Sequence, residues 1–110
     1  MRCEVNETKT FFSEISSIDE NGQWGIHEGF GGSIDNAQFT ELKADIEAAK
    51  AGPYDHDQNP CDAGGLMVIA QSGAEKIILL DSPDCGMQVT NQNTAAKRLI
   101  AWMRTNCHFR

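Results

Sequence analysis

The apolar and polar positions of the first third of the chain follow the patterns of strands. Thr8–Ile18 is rich in Thr, Phe and Ile, residue types that suit the pleated, half-buried surface of a sheet. Asp19-Glu20-Asn21-Gly22 follows, and Asn-Gly is the strongest short hairpin signal because both residues accept positive φ. Gln23–His27 is the expected return strand. Trp24 and Ile26 alternate there with small or polar neighbours, so one side should be buried. Gly29-Phe30-Gly31-Gly32-Ser33 is expected to break the strand. The period then changes. Phe39, Leu42, Ile46 and Ala49 fall at i, i+3, i+7 and i+10, one stripe of an amphipathic helix. Glu41, Lys43, Asp45 and Glu47 cover its other side. Ser33 or Asp35 can cap it, and Asp35 with Gln38 matches a capping box. Gly52-Pro53 ends it, since glycine accepts the left-handed cap and proline cannot continue a helix.

The second half repeats the order. Residues 53–64 read as a polar loop. Gly65–Ala70 and Lys76–Leu80 are apolar runs flanking Gln71–Glu75, a hairpin with glycine at its tip. Centred on Gly73, the hairpin pairs Leu66 with Leu80, Val68 with Ile78, Met67 with Leu79 and Ile69 with Ile77. Asp81–Gly86 turns the chain and Met87–Val89 is a short extended piece. Thr90–Thr94 supplies caps for a helix with Ala96, Leu99, Ile100 and Met103 inward and Lys97, Arg98 and Arg104 outward. The expected fold is α+β, a four-stranded antiparallel sheet with two helices on one face in β-β-α-β-β-α order.

That register makes both sides of the second hairpin apolar. Two helices cover one side, so Met67, Ile69, Ile77 and Leu79 form a second apolar face, with Trp24 as a further candidate for the same surface. Leaving four such side chains in water would forfeit roughly 6–12 kcal/mol, at about 1.5–3 kcal/mol each. A second copy of the chain, its own loops or an apolar ligand could cover them.

Length and charge narrow the function classes. One domain, residues 1–110, accommodates all 110 residues. Sixteen acids against nine bases give a net charge of −7, which argues against nucleic-acid and anionic-membrane surfaces, since both are bound through basic patches. No run approaches the roughly 18 apolar residues of a membrane helix. Residues 1–55 hold eleven acids and four bases, so one half should present an acidic surface, suited to a basic protein partner.

Cys3, Cys61, Cys85 and Cys107 allow three pairings. The Gly73-centred hairpin sets Cys61 opposite Cys85 and leaves Cys3 for Cys107, which would close most of the chain and contribute about 3–5 kcal/mol. Bridged cysteines favour an exported protein, although Met1–Glu7 has no apolar leader.

Chemistry is sparsely signalled. Asp55, Asp57 and Asn59 match the first half of a calcium loop, but Pro60 and Leu66 stand where glycine and glutamate are needed. An irregular cation site from Asp55, His56, Asp57 and Asp62 is the remaining metal candidate, against solvated turn residues. The glycine-rich run Gly29–Ser33 precedes a helix N-terminus, where free amides can hold an anion, but Ile34 stands where a dinucleotide motif needs glycine. His27, His56 and His108 could serve a catalytic thiol if a cysteine were free. No cofactor is implied.

Cys61-Asp62-Ala63-Gly64-Gly65, then a hairpin, a second cysteine and a closing helix, resembles a pattern of small bacterial proteins of unknown function, some of them exported or lipid-anchored. The likeness spans about residues 22–107. It implies export and disulfides, and it brings no catalytic residues. The expected function is a small non-catalytic binding or protein-interaction module that self-associates as a homodimer through its apolar sheet face. The alternatives are a carrier of a small apolar ligand and a small enzyme using the polar loop 55–62.

Overall fold

A computed structural model describes residues 1–18, 21, 23–59, 65–83 and 85–108. The strands are β1 (Arg2–Asn6), β2 (Thr10–Ile18), β3 (Trp24–Ser33), β4 (Tyr54–Asn59), β5 (Leu66–Ser72), β6 (Glu75–Ser82) and β7 (Gly86–Asn91). The helices are α1 (Asn36–Ala49), after β3, and α2 (Thr94–Cys107), after β7. All strands join one sheet in the order β3-β2-β1-β5-β6-β7-β4. The β1–β5 pairing is parallel and the rest are antiparallel. The expected four-stranded antiparallel sheet is therefore replaced by a seven-stranded mixed one, although the class remains α+β.

Each added strand has a physical reason to be inconspicuous. β1 has only five residues, and they alternate: Cys3 and Val5 enter the core while Arg2, Glu4 and Asn6 turn to the other side. β4 occupies part of the expected polar loop. It is an edge strand bonded to β7 alone, so its backbone is satisfied on one side while its polar side chains stay in water. The glycines expected to break the first hairpin continue β3 to Ser33. A Cβ at Gly32 would lie 2.9 Å from the Phe11 ring, and one at Gly31 would lie 2.6 Å from the Phe11 carbonyl. Glycine here permits close approach to β2.

Both helices meet the same side of the central strands. α1 buries Phe39, Leu42, Ile46 and Ala49, the four positions of the helical stripe. Asp35 caps it, its carboxylate accepting from the Gln38 amide at 2.8 Å. α2 buries Ala95, Ala96, Leu99, Ile100, Met103 and Cys107. These pack onto Cys3, Val5, Val68, Ala70, Ile77 and Leu79 of the sheet. Trp102 lies at the core margin, edge-on to Phe11 with ring centroids 5.5 Å apart.

Polar side chains fix the helix pair. Arg98 Nη2 and Nε donate to Asp45 Oδ1 at 2.8 and 3.2 Å, the fork geometry guanidinium favours. Asn91 is fully buried. Its amide donates to the Ala49 carbonyl at 2.9 Å and the Ile78 carbonyl at 3.3 Å, and its oxygen accepts from the Asn93 amide at 3.0 Å. Asn93 caps α2 while donating to the Ala48 carbonyl at 3.0 Å. The carbonyls of the last turn of α1, which also accept the Ala51 and Gly52 amides, are thus tied to the start of α2 by two neighbouring asparagines.

Cys3 and Cys107 form a disulfide with Cα atoms 6.1 Å apart across 104 residues of sequence. The bridge ties the central strand to the end of the last helix. Cys85 is also oxidised, and the Cys61 half of the expected Cys61–Cys85 bridge lies outside the described residues. The Asp19-Glu20 and Gly22 portions of the first turn lie outside them too.

Two outcomes test this framework. A Cys3→Ser/Cys107→Ser double variant should lose about 3–5 kcal/mol in urea denaturation, the loop-entropy effect of a span this long. Asn91→Ala should cost about 2–3 kcal/mol in the same assay, because it removes a buried side chain that bonds the Ala49 and Ile78 carbonyls and the Asn93 amide.

Candidate functional site

The register of the β5–β6 hairpin decides which side chains face the helices and which face the other side. Ser72 pairs with Glu75, so the turn is the two residues Gly73-Ala74. Gly73 takes φ +60° at the first turn position, where two-residue hairpins favour glycine. The expected register, centred on Gly73 itself, is off by one residue. Because side chains alternate, such a slip exchanges faces. Ile69 pairs with Ile78 and Ala70 with Ile77.

A register shift between Val68 and Ile69 adds a second change. Val68 pairs with Leu80, Ile69 pairs with Ile78, and Leu79 is the extra residue. Leu79 is fully buried in the helix-side core and Leu80 packs against that core, as in a β-bulge, where two residues oppose one.

The four predicted surface residues are therefore divided between the two sides. Ile77 and Leu79 lie under the helices, whereas Met67 and Ile69 face the side without helices. Ile78 joins the latter pair. The backbone of Trp24 pairs with Ile18 at the start of β3, on the far side of the sheet from β5 and β6.

Cross-strand pairing arranges the helix-free face in rows. One row is Phe12, Glu4, Ile69 and Ile78; the next is Glu14, Arg2, Met67 and Asp81; another is Thr10, Asn6, Gln71 and Lys76. An apolar strip thus runs between polar margins. Ile69 is 0% exposed and Glu4 8% although no helix lies over them. Glu4 is paired with Arg2 at 3.3 Å, and the Arg2 guanidinium lies 5.9 Å from the centre of the Phe12 ring. Met67 and Ile78 remain half-exposed.

The chemical candidates do not converge. Asp55, His56 and Asp57 are exposed along β4, where alternation turns His56 away from the two aspartates. The Asp55 carboxylate accepts from the His56 amide at 3.0 Å. Asp62 lies outside the described residues. Among the described residues no group of three His, Cys, Asp or Glu side chains could hold a metal ion. Gly29, Gly31 and Gly32 belong to a strand, so that run does not form an anion-binding loop. His27 lies in β3, and His108 ends α2 in the left-handed conformation. Cys3, Cys85 and Cys107 are oxidised, so none of the three offers a thiolate. Among the described residues no helix is long and apolar enough to cross a membrane.

In comparisons with known proteins, the chain matches no family, no curated sequence and no solved structure.

The exchange of faces is directly measurable. Ile77→Ala should cost about 2–5 kcal/mol in denaturant unfolding, as core truncations do. Ile78→Thr, one residue along, should cost less than about 1.5 kcal/mol in the same measurement.

Proposed function

We propose that the protein is a disulfide-stapled, non-catalytic interaction module that pairs with a second copy of itself through the helix-free face. The observation that carries this reading is the half-exposed pair Met67 and Ile78, flanking the buried Ile69, on a face that neither helix covers. Its size supports a copy as occupant. The sheet spans seven strands, which at ~4.8 Å between neighbours gives a face about 29 Å across. Such a width by several residues of strand approaches the ~800 Å² per partner of a standard interface.

The charge arrangement favours a two-fold pairing. The row Glu14, Arg2, Met67, Asp81 sets one cation beside an apolar centre between two acids. A copy turned about a two-fold axis can bring each Arg2 towards the other's Asp81, the self-complementarity an isologous interface requires. The buried Cys3–Cys107 bridge supports an oxidising, extracytoplasmic setting. Bound on this face, the module would act by assembly and without turnover.

Light scattering coupled to size exclusion tests the reading. The wild-type chain of 12.1 kDa should run as a dimer at micromolar concentration. A Met67→Glu/Ile78→Lys variant should run as a folded monomer with unchanged far-ultraviolet circular dichroism. A wild-type monomer throughout the micromolar range would overturn the proposal, as would a dimer unaffected by the double substitution.

A further inference from the structure

A second surface feature lies on the opposite side of the molecule from the helix-free face. Lys9, in the turn between β1 and β2, and Phe39, Thr40, Lys43, Ala44 and Glu47 of α1 enclose an open groove of about 550 Å³. That volume lies within the range of small-molecule sites. Phe39, which is 7% exposed, and Ala44 supply its apolar lining.

Charge accounting singles this groove out. Residues 1–55 carry only four bases, Arg2, Lys9, Lys43 and Lys50, among eleven acids. Arg2 is paired with Glu4 at 3.3 Å, and Lys50 with Glu47 and Glu75 at 2.9 and 3.3 Å. Among the described residues, Lys9 and Lys43 are the two of these bases with no ion pair within 4.0 Å, although the charge of Lys43 also helps lower the Glu47 pKa, and both line the groove. The one acid on its rim, Glu47, is engaged elsewhere. Its carboxylate accepts from Lys50 and from Ser72 at 3.3 Å, and the hydrogen bond from Lys50 holds its pKa below the ordinary value.

Lys9 is also held in place. Its φ of 64° lies in the left-handed region, which glycine occupies more readily than lysine. Its ammonium donates to Asn36 Oδ1 at 2.6 Å and stands 6.0 Å from the centre of the Phe39 ring, within cation–π range. A fixed cation, a second cation without a close ion pair and the exposed margin of a buried aromatic residue thus meet in one concavity on a strongly acidic chain.

We propose that this groove binds a small aromatic carboxylate, its flat body against Phe39 and Ala44 and its carboxylate held by Lys9 and Lys43. Offset or edge-on ring contact with Phe39 favours an aromatic body, and the two ammoniums select an anion over a neutral or cationic analogue. The site is independent of the sheet-face assembly and can stand or fall separately.

An amide NMR titration with 2-naphthoate tests it. Saturating shifts are expected at Lys9, Thr40, Lys43 and Ala44, and 2-naphthylmethylammonium, with a similar body and the opposite charge, should leave these amides unmoved. Lys43→Gln should weaken binding about two- to fivefold, the scale of one exposed charge pair. Lys9→Gly suits the backbone and should weaken binding similarly without lowering Tm, and both together should weaken it about tenfold. Absence of saturation, an equal response to the ammonium, shifts confined to Met67 and Ile78, or undiminished binding in the double variant would each overturn the proposal.

Discussion

The parallel pairing of β1 with β5 is the contact on which the rest of the sheet depends. β1 is five residues long, yet it is the sole link between the β2–β3 hairpin and the strands β5, β6, β7 and β4. A parallel pair must be closed over a long stretch of chain, so its entropic cost is high. Two features offset that cost. Cys3 and Val5 enter the core beneath the helices, and Cys3 is bridged to the end of α2. The chain's first strand and last helix are thereby held together, and the intervening elements are arranged around them.

With β1 in the centre, the two sides of the sheet take different roles. The helix side is a conventional core of aliphatic residues. The other side is mixed: a short apolar strip beside Arg2, which is paired with Glu4 and lies over the Phe12 ring. Burying Glu4 is tolerable because Arg2 lies beside it, and an unpartnered carboxylate there would be costly. The β4 edge of the sheet is also managed. β4 carries Asp55 and Asp57 in water, and the Asp55 carboxylate occupies the His56 amide, which discourages uncontrolled strand addition.

The parts of this design that were legible in the sequence are those with one buried side and clear punctuation. The helical stripe Phe39, Leu42, Ile46 and Ala49, with Asp35 before it, read correctly because spacing and cap agreed. The Cys3–Cys107 bridge followed from pairing arithmetic. That arithmetic used a Gly73-centred register that the structure replaces, so agreement on the bridge came through a faulty intermediate. β1 was overlooked because five residues carry too few alternations to stand out, although Cys3 and Val5 against Arg2, Glu4 and Asn6 already show period two. β4 was unreadable for a different reason. An edge strand satisfied by backbone bonds alone needs no apolar side chain, so Tyr54–Asn59 resembles a loop. The predicted face Met67, Ile69, Ile77 and Leu79 mixed two surfaces because one turn residue and one bulge each exchange sides, and neither is encoded in hydrophobicity.

Native-state amide hydrogen exchange tests the central role of β1 most directly. If the β1–β5 pair anchors the sheet, the hydrogen-bonded amides of Cys3–Val5 and Val68–Ala70 should exchange only through global unfolding and be the slowest strand amides. Exchange of β1 amides as fast as those of the edge strand β4, with β5 and β6 still protected, would contradict the account.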